Sequence, residues 1–243
     1  IIILGLNPAW QRTLLLKSFR RGEVNRCEEV SEYASGKGIN TACAVKKWKS
    51  APLVLQFSGR SSGMALCKDL KGADIQYDSV EIKSPTRMCQ TLVASSESTE
   101  LIDPSPRISS TEALLLCDKI RALKDSADFW VFSGTFPSGF SEKYLQKILK
   151  GIPSSKIILD GITGVSPILN HGIFIFKINK HELFTLTGKK SVNQAWAELR
   201  KFYCIEQLII TDGEKPVTWC SHRKTIRYKV PECEKLINPI GSG

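Results

Sequence analysis

The chain has 243 residues, 42% of them hydrophobic and 24% charged, with a formal net charge of +10 and a pI near 9.2. That is the composition of an ordinary soluble globular protein with one large core, either a single α/β domain or one domain with an insert. No apolar run reaches transmembrane length. The basic residues are scattered, densest at Lys46–Lys47–Lys49 and Lys177–Lys180, and form no nucleic-acid reader motif, so the charge reads as a generally basic surface.

In chain order, Ile1–Ile2–Ile3–Leu4 is a short apolar run ended by Gly5 and Pro8. It reads as a buried central strand and is too short for a signal peptide. The absence of a leading Met leads us to expect a chain trimmed or incomplete at its start. Residues 7–11 read as a loop. Segments 13–17 and 23–30 are β-prone and joined across Arg20–Arg21–Gly22. A helix follows over 38–49, then a strand over 53–57. Gly59–Arg60–Ser61–Ser62–Gly63 opens a helix over 64–71. Segments 87–94 and 100–102 bracket the polar turn Ser95–Ser96–Glu97–Ser98 as a second β pair, and a helix spans 109–123.

From residue 127 the rhythm is regular. Strands are expected at 129–132, 157–160, 174–178 and 207–211. Helices are expected at 141–149 with Ser141 as N-cap, from Asn179 onward, and at 192–202. A β pair over 217–220 and 225–230 closes the series. Alternating strands and helices mean an α/β fold with a mostly parallel sheet covered on both faces. The two early β pairs break that rhythm and belong in a small second sheet.

The eight cysteines, Cys27, Cys43, Cys67, Cys89, Cys117, Cys204, Cys220 and Cys233, include no C-x-x-C pair. They read as reduced core thiols of a cytosolic protein. Cys220 with His222 is too little for a metal site.

The stretch Gly36–Lys37–Gly38–Ile39–Asn40 carries the clearest chemistry. Glycines let backbone amides approach a ligand, and a helix start adds free N–H groups and a positive dipole end. Lys37 adds a cation, and Asn40 a donor and acceptor one turn in. It is not a Walker A loop, because Gly38 stands where Ser or Thr is needed. Ligands of α/β sheets gather at the carboxyl ends of strands, and small or polar residues recur in the loops there.

With these pieces in order, the chain resembles the phosphofructokinase B family of sugar kinases, on the 1-phosphofructokinase and tagatose-6-phosphate kinase branch. The marks are Leu6–Asn7–Pro8–Ala9, Gly22–Glu23–Val24–Asn25–Arg26, the Gly36–Asn40 stretch, Thr86–Arg87, Ser133–Gly134–Thr135–Phe136–Pro137–Ser138–Gly139, Asn179 with Glu182, and Gly241–Ser242–Gly243. The likeness runs essentially from Ile1 to Gly243. It implies a ribokinase-like three-layer α/β/α domain over 1–243 with lid segments at about 13–30 and 87–102, and ATP and Mg²⁺ as cofactors. It implies that Gly36, Lys37 and Asn40 hold the sugar, with Ser133, Gly134 and Thr135 lining it, and that Gln11 stands at a sugar-hydroxyl position. Arg87 would pair with a substrate phosphate, and Arg26 is a weaker candidate for the same phosphate. Lys177, Asn179, Thr211 and Gly213 would face the nucleotide. Glu182 would reach Mg²⁺ through water. Asn179 with Glu182 is also a capping box in form, and the two roles are compatible. Gly241, Ser242 and Gly243 would donate amides to the phosphoryl group in flight. Such lids can also serve as homodimer contacts; neither nucleic acid nor a membrane is expected as a partner, and the location is expected to be cytoplasmic.

The sequence also departs from the family. Gln11 replaces an Asp, Ser61 an acidic residue, Pro216 a Gly and Pro239 a Thr. The family's catalytic Asp is expected directly after Gly243, where the sequence stops, so it is expected to be part of a longer protein and inactive by itself. The activity implied is transfer of the γ-phosphoryl of ATP to a ketohexose monophosphate. A kinase of an unphosphorylated sugar or nucleoside, and a non-catalytic sugar-phosphate binder motivated by Gln11 and Pro216, are the alternatives.

Overall fold

The computed structural model describes residues 1–95 and 97–231. Ile2–Leu4 (β1) is the strand around which the main sheet is laid. Its neighbours are Leu53–Ser58 (β4) on one side and Trp130–Ser133 (β8) on the other, both parallel to it. Gln76–Glu81 (β5) extends the sheet beyond β4. Ile157–Asp160 (β9), Ile173–Asn179 (β10) and Ile205–Asp212 (β11) extend it beyond β8, all parallel. Two antiparallel strands, Lys215–Ser221 (β12) and Thr225–Tyr228 (β13), finish that edge. The nine strands run β13-β12-β11-β10-β9-β8-β1-β4-β5. The order reverses at β1, which makes its carboxyl end the switch point where such sheets bind ligands.

The period-2 pattern of the strands sorts their side chains into two cores. Ile2, Leu4, Phe57, Trp130, Phe132, Leu159 and Phe176 share one core with residues of Ser110–Ala122 (α3), Glu142–Leu149 (α4), Ser166–His171 (α5), Lys180–Thr187 (α6) and Val192–Phe202 (α7). Ile3, Val54 and Val131 point the other way, against Lys37–Lys47 (α1) and Arg60–Gly72 (α2). Burying side chains of this size contributes about 1.5–3 kcal/mol each. The α/β expectation therefore holds, with helices on both faces of a mostly parallel sheet.

A second sheet of four strands stands apart, in the order β3-β2-β6-β7. It comprises Ala9–Leu16 (β2), Glu29–Ser35 (β3), Arg87–Ala94 (β6) and Glu97–Ile102 (β7). This is the small second sheet expected from the sequence, but β2 and β3 are displaced from the segments anticipated. Ala9–Gln11 is strand rather than loop, because it pairs with Arg87–Cys89 in register. Segment 17–28 is the connection, held partly by Asn25, which bonds the backbone of Arg20 and Glu23.

A strand, a short α-helix and the 3-10 turn Ser154–Lys156 escaped the sequence reading. Gln76–Glu81 is polar and mostly half-exposed, as befits an edge strand, and lacks the apolar signal of its neighbours. The short α5 spans only one turn and a half of chain after Val165. Ser141 occupies the N-cap of α4, but its side chain makes no capping bond. Ser109 does cap α3, in a full capping box with Glu112. Burial pushes the Glu112 carboxyl up, but hydrogen bonds from Ser109 and the Lys83 amide outweigh it and hold the group below the usual glutamate range. The described cysteines are all free; Cys89, Cys117 and Cys220 are buried, whereas Cys27, Cys43 and Cys204 are exposed and not core thiols.

A close backbone approach lies at the switch point. A Cβ on Gly38 would sit 2.4 Å from the Cα of Gly5. Gly38→Ala is therefore expected to cost at least the upper part of the ~1–3 kcal/mol typical of overpacking. Gly72, at the end of α2, has nothing within 4 Å of its would-be Cβ. Gly72→Ala is expected to be neutral or to stabilise by about 0.4–1 kcal/mol. Denaturant melts of both variants check the contrast; equal effects would contradict the packing assigned to Gly38.

Candidate active site

The packing of Gly38 on Gly5 presses the start of α1 against the end of β1. Gly36 precedes the helix at φ 112°, a conformation that only glycine adopts readily, and no side chain caps the helix. The first amides of α1 thus remain without intrahelical partners. Gly36, Lys37 and Asn40 at this helix start line a cleft of about 930 Å³ between the two sheets.

The parallel register delivers the other walls. Ser133, Asp160 and Lys177 are paired across β8, β9 and β10, and Asn179 is paired with Thr211 across β10 and β11. Of the residues expected from sequence, Gln11, Gly36, Lys37, Asn40, Arg87, Lys177, Asn179, Glu182 and Thr211 line this cleft. Ser133 and Gly134 lie just behind it. The Ser133 hydroxyl is 3.1 Å from that of Thr41, and a Cβ on Gly134 would touch the Lys37 side chain at 3.3 Å. Thr135 accepts a hydrogen bond from the Asn7 amide. Gly213 sits in the exposed turn between β11 and β12, and Arg26 is exposed in the connection between β2 and β3, beside Arg20 and Glu23 rather than in the cleft. Gly241, Ser242 and Gly243 lie outside the described residues.

The floor is a mixed charge cluster. Lys37 Nζ stands 3.5 Å from Asp160 and 3.9 Å from Glu182, and Lys177 Nζ stands 3.4 Å from the same Asp160 oxygen. Asn179 and Glu182 form the capping box of α6. One Glu182 oxygen accepts the Asn179 amide at 3.0 Å, while the other is the one nearest Lys37. The cap and the cleft are thus served by different oxygens of one carboxylate. Below them, the Lys180 hydrogen bond holds the Asp212 carboxyl below its usual range, with the charges of Lys180 and Lys215 adding to it.

Asp160 enters the sequence reading only as the last residue of the strand expected at 157–160, yet it is the shared counter-ion of both lysines. The signal available was an acidic residue at the carboxyl end of a strand, followed by a glycine. Gly161 is required there, because a Cβ would come within 2.8 Å of the Gly134 carbonyl oxygen. Among the described residues no group of three metal-ligating side chains forms. Asp160 and Glu182 are the two carboxylates of the floor able to take the waters of a Mg²⁺ ion, which needs few direct protein ligands.

The lid supplies the roof. Gln11 is buried and donates its amide to Thr91 at 2.9 Å and to the Arg12 carbonyl at 3.3 Å. A carbonyl only accepts, so the amide nitrogen is fixed toward Arg12 and the Gln11 oxygen is left for the cleft. Arg87 donates to the backbone carbonyls of Asn7 at 3.0 Å and Pro8 at 3.4 Å, using two of its five N–H groups. Cys89 lies beside it, its thiol pushed up by burial.

A model of the pfkB family of carbohydrate kinases matches residues 9–243. The chain belongs to that family. Among solved structures, it is similar to phosphofructokinase-2 from Escherichia coli in complex with fructose-6-phosphate, at 19% identity and a TM-score of 0.87. That match covers 97% of this chain and 81% of the other. It is also similar to a protein described as a possible 1-phosphofructokinase from Thermotoga maritima, at 17% identity and a TM-score of 0.78, covering 92% of this chain and 75% of that one. The structural likenesses show the fold of this pfkB-family protein to be the ribokinase-like one, and the family match places it among carbohydrate kinases, a family whose members use ATP with a metal. No helix among the described residues is long and apolar enough to cross a membrane.

The floor pairs are long, at 3.4–3.9 Å, between side chains 17–45% exposed, and loosely held, partly exposed pairs contribute only about 0–1 kcal/mol to stability. Asp160→Asn is therefore expected to leave the melting temperature nearly unchanged while weakening MgATP binding, measured by calorimetry. A large loss of stability with unchanged MgATP affinity would make the cluster a structural feature.

Proposed function

We propose that this pfkB-family protein transfers the γ-phosphoryl of ATP to a hydroxyl of a ketohexose monophosphate, of the fructose 1-phosphate or tagatose/fructose 6-phosphate type, giving a bisphosphate. The observation that carries this reading is Arg87. Its guanidinium is anchored on two backbone carbonyls at the lid hinge, lines the cleft, and has no carboxylate partner among the described residues. A planar cation held in this way matches a phosphate dianion, and a neutral sugar would leave it unpaired.

Gly36, Lys37 and Asn40 would hold the sugar from the main sheet, and the Gln11 oxygen would accept one hydroxyl from the lid. Thr135 and Ser133 support that side. Lys177, Asn179 and Thr211 would face the nucleotide, with Asp160 and Glu182 toward the waters of Mg²⁺. The metal, when bound, supplies charge neutralisation to the phosphates. The protein's own share is positioning and electrostatics: Lys37 and Lys177 neutralise anionic oxygens, and the free amides of α1 point at them. Closure of the lid would remove water from around these charges and strengthen each interaction. The exposed apolar side chains Leu15, Tyr33 and Ile102, which the strand register puts on one face of the lid, support a second copy of the chain as its partner.

Arg87→Ala is expected to weaken binding of the phosphorylated ketose by about 1.5–3 kcal/mol, the value of a charge-assisted pair, and to leave the free ketose nearly unaffected. Calorimetric titration of both ligands on both proteins decides it. Equal losses for both would remove Arg87 from the phosphate.

A further inference from the structure

Asn7 is buried at the carboxyl end of β1, directly before the lid strand β2, and lies outside the set of residues lining the cleft. Its side-chain amide donates to the Ser105 hydroxyl at 2.8 Å and to the Thr135 hydroxyl at 2.9 Å. Ser105 belongs to the segment by which the chain leaves the lid after β7, and Thr135 to the main-sheet loop after β8. The Asn7 backbone carbonyl receives the Arg87 guanidinium at 3.0 Å, at the point where the chain enters β6. The segments that enter β2, enter β6 and leave β7 thus converge on one residue. The same residue grips the loop whose Gly134 lies under Lys37.

Asn7 is poorly explained as a stabilising group. Its Oδ1 is buried without a partner. Turning the amide over would satisfy the oxygen through the two hydroxyls but strand the nitrogen, so one buried polar atom is unpaired in either orientation. A buried unpaired atom is destabilising, and an apolar residue would avoid it. The loop and the outgoing segment also have a tie of their own, since the Ile108 amide donates to the Ser138 carbonyl at 2.7 Å. Asn7 adds to that tie a link toward the hinge and Arg87.

We propose that Asn7 is a positioning residue that sets the lid-borne Arg87 in register with Thr135 on the main sheet, so that the phosphate and sugar ends of one substrate are gripped together. This rests on the phosphosugar reading above. It means that a change at the lid hinge is felt at both ends of the ligand, although Asn7 itself touches neither.

Hydrogen exchange without ligand tests the bridge, and calorimetry with fructose 6-phosphate and with free fructose tests the positioning. Asn7→Ala is expected to raise amide exchange in residues 103–109 and 133–139 roughly tenfold, the scale of a lost hydrogen bond, with Trp130–Phe132, β9 and β10 protected as before. Fructose 6-phosphate affinity should fall roughly tenfold in the same variant, and by a smaller factor in Ser105→Ala, which alters no cleft residue. The proposal is overturned if exchange in 133–139 is unchanged in Asn7→Ala. It is equally overturned if exchange rises but fructose 6-phosphate binds as to wild type. Should Asn7→Ala fail to fold, wild-type affinity and exchange in Ser105→Ala overturn it. If the wild-type protein binds no fructose 6-phosphate, the substrate reading fails for that sugar, while the exchange result still judges the bridge.

Discussion

Backbone touches backbone where Gly38 meets Gly5, and the cleft depends on that contact. A side chain at either position would push the start of α1 away from the end of β1. The free amides of α1 would then no longer open between the sheets, and Lys37 would lose its place above Gly134. Gly36 enforces the same geometry from outside, folding back over Pro8 at a backbone angle closed to other residues. In the proposed function, three glycines would do for the ligand what no side chain could, which is to bring main-chain donors to within reach of it.

Around that contact the two sheets divide the work. Parallel strands in register deliver Ser133, Asp160, Lys177, Asn179 and Thr211 to one level of the main sheet, so the floor's charges follow from hydrogen-bond ladders alone. The lid is tied to the floor chiefly through its entry and exit segments, and these carry Asn7, Arg87 and Ser105. Cations and anions on the floor neutralise one another in pairs spaced at 3.4–3.9 Å, and screening keeps their mutual attraction weak. Lys37 and Lys177 are thus available to an incoming phosphate at small cost. Lys180, by contrast, is committed to Asp212 at 2.8 Å.

Much of this was legible in the sequence, and the remainder was hidden for identifiable reasons. Apolar strands such as Trp130–Ser133 and Ile173–Asn179 announce themselves because both faces are buried. Gln76–Glu81 does not, because an edge strand needs no continuous apolar run. The lid strand β2 was placed too late because Asn7–Pro8 reads as a turn, whereas pairing with β6 begins at once at Ala9. The glycine stretch stood out because its chemistry is local, whereas Arg87, Lys177, Asn179 and Glu182 were named for the ligand by resemblance; the fold brings them together along one cleft. Asp160 and Asn7 were not given roles, because each owes its significance to partners distant in sequence: Lys37 for the one, Ser105 and Thr135 for the other. Arg26 was named by resemblance as a weaker candidate for the substrate phosphate, and its exposed connection between β2 and β3 places it outside the cleft of its own chain.

The central claim is that the cleft recognises a phosphorylated ketose through a guanidinium fixed at the lid hinge. The most direct measurement is calorimetric titration of the wild-type protein with fructose 1-phosphate, fructose 6-phosphate and tagatose 6-phosphate beside free fructose and tagatose, at low and high salt. The account predicts that at least one phosphorylated ketose binds roughly tenfold or more tightly than its free sugar, the scale of a charge-assisted pair, with the advantage shrinking as salt rises. Free and phosphorylated sugars binding alike at both salt concentrations would contradict it.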